Sequence, residues 1–155
     1  MLETQRWTDN QLRLLTSYDD FPSWLTPDEL AAFLHRALKP YEDPLPAVRQ
    51  GLDDALSTSS PIANFVLVAE QDKQPVGAVV MLKTRMQAYI PENLLLFIAV
   101  DPECRGQGLG RRMLERVIQE CDGDVKLHVE YDNPAKRLYE RVGFVNKYAE
   151  MRCIT

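Results

Sequence analysis

Three glycines at alternate positions, Gly106, Gly108 and Gly110, stand between a run of seven apolar residues, Leu94–Val100, and a stretch with helical apolar spacing. Glycine lacks a Cβ, so a loop built on it can take left-handed dihedrals and bring its amides close to a ligand. The helix after the loop starts with amides that have no internal partner and lie at its partly positive end. Together they make a seat for an anion, most naturally a phosphate or pyrophosphate. Arg105, Arg111 and Arg112 add formal positive charge around it. The plainer alternative is an ordinary strand-to-helix turn with glycines for tight packing. Other phosphate loops fit less well. The Walker loop needs Lys and Ser/Thr after its last glycine, and the dinucleotide fingerprint needs its third glycine one position later. Arg111 stands in both places.

The elements that must position this loop follow from apolar spacing. Leu94–Val100 reads as a strand covered on both faces, ended by Asp101-Pro102. Apolar residues at 109, 113, 114, 117, 118 and 121 form one helical face. Upstream, residues 63–70 and 76–82 read as strands joined by a hairpin turn at Asp72–Pro75, with 83–89 continuing the second strand. Downstream, 125–131 reads as a strand. Pro134 then starts a helix with Ala135, Leu138, Tyr139 and Val142 on one face, stopped at Gly143 with Phe144 folding back. Residues 145–154 supply a final strand or hairpin. At the front, 2–7 reads as a short strand, and Leu12, Leu14 and Leu15 suggest a short helix over Asn10–Ser17. Thr26 as N-cap, Pro27 at the first helical position and Glu29 mark a helix that runs to Pro40. A proline-punctuated connection leads to a third helix over 47–56.

A chain of 155 residues, 45% of them hydrophobic, is enough for one domain, 1–155, with its own core. No apolar run approaches the roughly 18 residues of a membrane span, and the N-terminus lacks a basic head before an apolar stretch, so no secretory leader is expected. Cys104, Cys121 and Cys153 are widely spaced and odd in number, which reads as free thiols of a cytoplasmic protein with no metal spacing. Cys104 lies beside the loop, but no motif places a His or Asn for it as a nucleophile. The net charge of −5 is uneven: residues 1–60 hold ten acids against five Lys/Arg, and the rest hold thirteen of each. No basic stripe is present, so nucleic acid is not expected as a partner, and without an apolar span neither is a membrane. The acidic front half is either a solvated surface or a wall that attracts a cationic amine.

Arg105-x-x-Gly108-x-Gly110, between Val-Asp-Pro and a helix, resembles motif A of the GCN5-related N-acetyltransferase (GNAT) superfamily. Asn133, Ala135, Leu138, Tyr139, Gly143 and Phe144 resemble the superfamily's second motif, in the expected order and separation. The resemblance covers roughly residues 62–148. It implies an α/β (α+β) fold: a central mixed, mostly antiparallel sheet flanked by helices, with a splayed strand pair at the cofactor site. Residues 1–60 would form a helical region on the acceptor side. The superfamily usually has two helices between its first two strands, so a third would be an addition.

The function implied is acetyl-CoA-dependent N-acetyl transfer to a primary amine by direct attack on the thioester, with acetyl-CoA as cosubstrate and no metal. A small-molecule amine comes first as acceptor and a protein N-terminus or lysine second. A non-catalytic acyl-CoA sensor is the competing class. By the resemblance, Arg105, Gly106, Gln107, Gly108, Leu109, Gly110 and Arg111 hold the pyrophosphate. The backbone of Ile98, Ala99 and Val100 holds the pantetheine, Asn133 bonds its arm, and Tyr139 protonates the departing thiolate. Asn133 precedes Tyr139 by six residues where the superfamily commonly has seven, so Asp132 competes for that place. The general base is open. The superfamily often has a Glu six residues before the valine that matches Val100, and here that position is Leu94. Glu92 falls on the same face if the strand extends by simple alternation. His128 and Glu130 share a face of the neighbouring strand, and His128 titrates near neutrality. A water relay or an amine arriving neutral completes the alternatives. Exposed edges and the final strand leave a homodimer open.

Overall fold

The computed structural model describes residues 7–57 and 64–155. Among these residues five strands form one sheet in the order β1-β2-β3-β4-β5. β1 (Leu12–Leu15), β2 (Phe65–Gln71), β3 (Gln74–Lys83) and β4 (Asn93–Val100) pair antiparallel in turn, and β5 (Val125–Leu127) joins β4 in parallel. Helices α1 (Pro27–Ala37) and α2 (Leu45–Leu56) cover one face, with Phe33, Leu34, Val48 and Leu52 packed on Val66, Val80 and Phe97. Helices α3 (Leu109–Glu120) and α4 (Ala135–Val142) cover the other, with Met113, Leu114, Val117 and Tyr139 packed on Leu67, Val79 and Leu95. The expected mixed, mostly antiparallel sheet between helices is the sheet observed.

Local chemistry explains where the elements begin and end. The Thr26 hydroxyl accepts the Glu29 amide at 3.1 Å, and Pro27 opens α1 behind that cap. Asp72 and Lys73 both take positive φ, 53° and 58°, which gives the β2–β3 hairpin a two-residue turn whose twist matches its strands.

The structure corrects five expectations. Residues 10–17 do not form a helix: a 3₁₀ turn over Asp9–Gln11 leads into β1. Leu12 and Leu14 pack towards α3 while Leu15 is buried under α1 and α2, the alternation of a strand. Three leucines in four residues satisfy either period. Among the described residues two α-helices therefore connect the first two strands, not three. Of the short first strand expected over 2–7, residues 2–6 lie outside the described residues and Trp7 belongs to no strand. β3 stops at Lys83 and does not continue to 89. The Thr84 hydroxyl donates to the Pro91 carbonyl at 2.8 Å, and Arg85 and Ala88 take φ of 62° and 68°, so the chain turns back. β5 ends at Leu127, short of 131. Residues 145–154 form no strand, and Val145, Tyr148, Met151 and Ile154 are exposed. A three-residue β5 offers too little ladder to pair with such a segment.

Two irregularities of β4 shape the centre of the molecule. Val80 pairs with Phe97 but Met81 pairs with Leu95, so Leu96 is an extra residue, a β-bulge. Leu96 and Phe97 both turn to the α1–α2 core, while Leu95 and Ile98 face α3 and α4. The second irregularity is on the other edge. β5 pairs with β4 only at Asn93↔Val125, Leu94↔Lys126 and Leu95↔Leu127. Beyond Leu95 this edge of β4 runs on to Val100 without a strand partner, while β5 ends at Leu127 and the chain leaves the ladder; the opening along that edge is a wedge.

Candidate active site

The C-terminal end of β4 delivers the chain into the glycine loop at the mouth of this wedge. Gly106 and Gly108 take φ of 77° and 82°, where an L side chain is strained, and a Cβ on either would meet no atom of the described residues within 4 Å. The loop surface therefore admits close approach. Gly108 is also the N-cap of α3, and no side chain caps that end. The first helical amide with a partner is that of Arg112, which donates to the Gly108 carbonyl at 3.0 Å. The amides of Leu109, Gly110 and Arg111 thus remain free for an anion at the positive end of the helix. The Gln107 side chain has a buried Oε1 without a hydrogen-bond partner among the described residues, a polar group that a ligand can satisfy. The positive-φ glycines and the free amides fit a pyrophosphate held by backbone, whereas the Gln107 oxygen is an acceptor and needs a donor from another part of a ligand.

The arginines are engaged elsewhere. Arg105 Nε donates to the Val100 carbonyl at 3.2 Å and its Nη2 to the Ala37 carbonyl at 2.8 Å. Arg111 pairs with Glu115 one turn along α3, and Arg112 pairs with Asp9. The surface pair of Arg111 contributes under about 1 kcal/mol and leaves its side chain free to swing.

Strand alternation sorts the three residues expected to hold an extended arm. The Asp101 amide donates to the Val76 carbonyl of β3 at 2.8 Å. With a period of two, Ala99 also turns its polar groups to β3, and Ile98 and Val100 turn theirs to the wedge. Ile98 and Val100 thus present an unpaired backbone edge, the Val100 carbonyl shared with Arg105. Ala99 supports from behind, buried against α1 and α2.

Tyr139 lies on α4, only 7% exposed, with its ring edge-on to Phe144 at 5.9 Å. Burial alone pushes its phenol up to about 12. One residue earlier, Leu138 occupies the space that a side chain on Gly110 would need: a Cβ there would lie 3.0 Å from Leu138 Cδ2. The anion seat and the Tyr139 helix are therefore in direct contact. Asn133 Oδ1 accepts the Ala135 amide at 2.9 Å and caps the start of α4, leaving its NH₂ group to donate. The backbone carbonyl of Asp132 accepts the Tyr41 hydroxyl at 3.0 Å.

The base candidates fall in two places. Glu92 lies at the closed end of the wedge, where its carboxylate accepts the Asp124 amide at 2.8 Å and fills the position a Gly123 Cβ would take. The bulge at Leu96 breaks the alternation that would have put Glu92 on the face of Val100. His128 and Glu130 are exposed just past β5, where the chain leaves β4. Cys104 is 8% exposed; burial first, then Asp101 and Glu103, push its thiol up, and its Sγ lies 3.8 Å from Gln71 Oε1. Such a thiol is a packing residue and not a nucleophile. Among the described residues no group of acids, histidines and cysteines could hold a metal ion, and no helix is long and apolar enough to cross a membrane.

Two structural residues escaped the sequence. Asn93 is 1% exposed; its Nδ2 donates to the carbonyls of Asp122 at 2.7 Å and Asp124 at 3.1 Å, and its Oδ1 accepts Lys83 Nζ at 2.6 Å. Tyr41 bridges the α1–α2 connection to the loop after β5. A lone Asn before an apolar run and a Tyr among prolines were the only signals.

The sequence profile of the acetyltransferase (GNAT) domain matches residues 63–146. The peptidyl-lysine N-acetyltransferase YjaB of Salmonella typhimurium is 31% identical over 119 residues, 76% of this chain and 75% of that protein. The cysteine-rich protein 2-binding protein of Mus musculus is 44% identical over 54 residues, 34% of this chain and only 7% of that relative's length. Among solved structures, an aminoglycoside N-acetyltransferase, AAC(6')-Iy, in complex with CoA superposes with a TM-score of 0.69 at 12% identity, covering 93% of each chain. A ribosomal-protein-alanine N-acetyltransferase from Brucella melitensis biovar Abortus does so with a TM-score of 0.63 at 16% identity, over 93% of this chain and 99% of that one. With a domain profile over more than half of its length and a relative matched across three quarters of it, this chain belongs to the GNAT acetyltransferase family.

Proposed function

We propose that the protein is an acetyl-CoA-dependent N-acetyltransferase that moves an acetyl group onto a primary amine. The observation that carries this reading is the wedge itself: a backbone anion seat at its mouth, an unpaired strand edge along one side, and Tyr139 on the helix packed against the seat. Acetyl-CoA supplies an acyl carbon open to attack and a thiolate that can leave. The polar groups of Ile98 and Val100 orient the arm and offer a donor where charge develops on the carbonyl oxygen. Holding both reactants in one cleft supplies several kcal/mol of the rate enhancement, on the order of 7 or more by effective-molarity arguments. Tyr139, with its phenol held up near 12, keeps its proton at neutral pH and has it ready for the thiolate. Exposed His128 and Glu130 can take the amine's proton, directly or through water.

The acceptor we favour is a small cationic amine. Glu42 and Asp43 lie in the α1–α2 connection, and the phenol of its Tyr41 is raised by desolvation and then by the carboxylates of Asp132 and Glu130. That concentration of negative charge beside the cleft attracts a cation. The similarity to the peptidyl-lysine N-acetyltransferase YjaB supports a second reading, in which the acceptor is a lysine side chain of a protein. Thiol release from acetyl-CoA, measured with spermidine, an aminoglycoside, free amino acids and lysine peptides, tests both. Amine-dependent release supports transfer, and its best substrate names the acceptor class. Tight CoA binding without release for any amine would replace transfer by an acyl-CoA sensor.

A further inference from the structure

We propose that Arg105 is a positioning residue: it couples occupancy of the glycine loop to the α1–α2 connection, residues 38–44, and is not a ligand of the phosphates. The proposal rests on CoA occupying that loop. The geometry comes from two hydrogen bonds of one guanidinium, to the carbonyls of Val100 at 3.2 Å and Ala37 at 2.8 Å. Ala37 is the last residue of α1, where carbonyls lack helical partners and a cation is favoured. Val100 is the last residue of β4, with its carbonyl on the wedge side. A planar fork can hold two acceptors at once, which a single ammonium on a flexible stem does less well.

The connection is held again further along. The Tyr41 amide donates to the Leu38 carbonyl at 2.9 Å, and its hydroxyl reaches the Asp132 carbonyl, in the loop after β5, at 3.0 Å. One short segment is thus tied on one side to the loop that follows β4 and on the other to the loop that follows β5. These are the two strands whose pairing stops where the wedge begins. Arg105 immediately precedes Gly106, so any adjustment of the loop amides around a pyrophosphate moves the guanidinium and the end of α1 with it. That end leads into Tyr41, Glu42 and Asp43, the side of the cleft where the acceptor is proposed to enter. The loop and the acceptor wall would respond together.

Hydrogen exchange with and without CoA, on wild type, Arg105→Ala and Arg105→Lys, tests the coupling, with calorimetry for CoA affinity. In the wild type CoA should slow exchange of the amides between residues 38 and 43 about fivefold or more, the lower end of ordinary coupling between sites. Arg105→Ala should bind CoA within about threefold of wild type, under 1 kcal/mol, yet lose that protection. Arg105→Lys should recover it in part at most, and it carries the same comparison if the alanine variant fails to fold. A CoA affinity about tenfold weaker or more in Arg105→Ala would make Arg105 a phosphate ligand and overturn the proposal. So would equal protection in wild type and variant, or none in the wild type. Failure of the wild type to bind CoA at all would instead sink the assignment of the loop.

Discussion

The two ends of the β4–β5 pair differ in how their polar groups are satisfied. At the apex, Asn93 is buried and fully bonded to Lys83, Asp122 and Asp124, and Glu92 holds the Asp124 amide. At the mouth, Ile98 and Val100 turn backbone groups towards a strand that has already ended, and the first amides of α3 point outward uncapped. A buried backbone group without a partner is costly, so nearly all are paired. The open backbone groups at the mouth are the ones that the amides and phosphates of the proposed cosubstrate would pair with. The apex closes the wedge and the mouth uses it.

The comparison can be broken by substitutions at either end, taken here from the largest expected effect. Tyr139→Phe, at the mouth, should lower kcat about 10²–10³-fold, the usual share of a positioned proton donor, while calorimetry finds CoA affinity nearly unchanged. An unchanged rate would remove Tyr139 from the acid role. Asn93→Ala, at the apex, should destabilise by roughly 3 kcal/mol and lower Tm by about 6–12 °C, because it leaves the Lys83 ammonium and two carbonyls without partners. CoA affinity of the folded fraction should hold, and if it collapsed with stability the two ends would not be separate. Gly108→Val should weaken CoA binding by about two orders of magnitude, since a β-branched residue is strained at φ 82° and its side chain enters the approach path. Its melting curve should move much less than that of Asn93→Ala.

Alkaline titration sharpens the same contrast. The Tyr139 phenol is raised in the folded state, so the stability it contributes is complete below pH 10 and lost as pH climbs from 10 through about 12. Two pH units correspond to at most about 2.7 kcal/mol. Denaturant midpoints measured across that window should fall, and Tyr139→Phe should remove that part of the fall. Glu92→Gln should do least: the amide oxygen still accepts from Asp124, so stability changes by under about 1 kcal/mol and kcat by less than about threefold. A tenfold loss in kcat would return Glu92 to the role of base.

Much of this arrangement is legible in the sequence. The glycine loop, α3, α4 and the β2–β3 hairpin carry local signals: positive-φ turns, caps and strong periodicity. What was missed had no local signal. The run Leu94–Val100 is apolar throughout, so it conceals the bulge at Leu96, and counting by twos from Val100 back to Glu92 gave the wrong face. Leu12, Leu14 and Leu15 fit a helix turn as well as a strand until β2 is present to pair with them. Arg105 reads as charge for a phosphate because nothing in its neighbourhood reveals the α1 carbonyl that comes to meet it. In each case the deciding partner is distant in sequence.

The absent side chain at Gly110 has a consequence for how such chains can diverge. Because Leu138 lies 3.0 Å from where that Cβ would be, the close approach of α3 and α4 depends on the absence of a side chain at position 110. Changes of loop length between α3 and α4 that spare β5 and residues 128–133 should leave α4 seated against the glycine loop, so long as position 110 stays small.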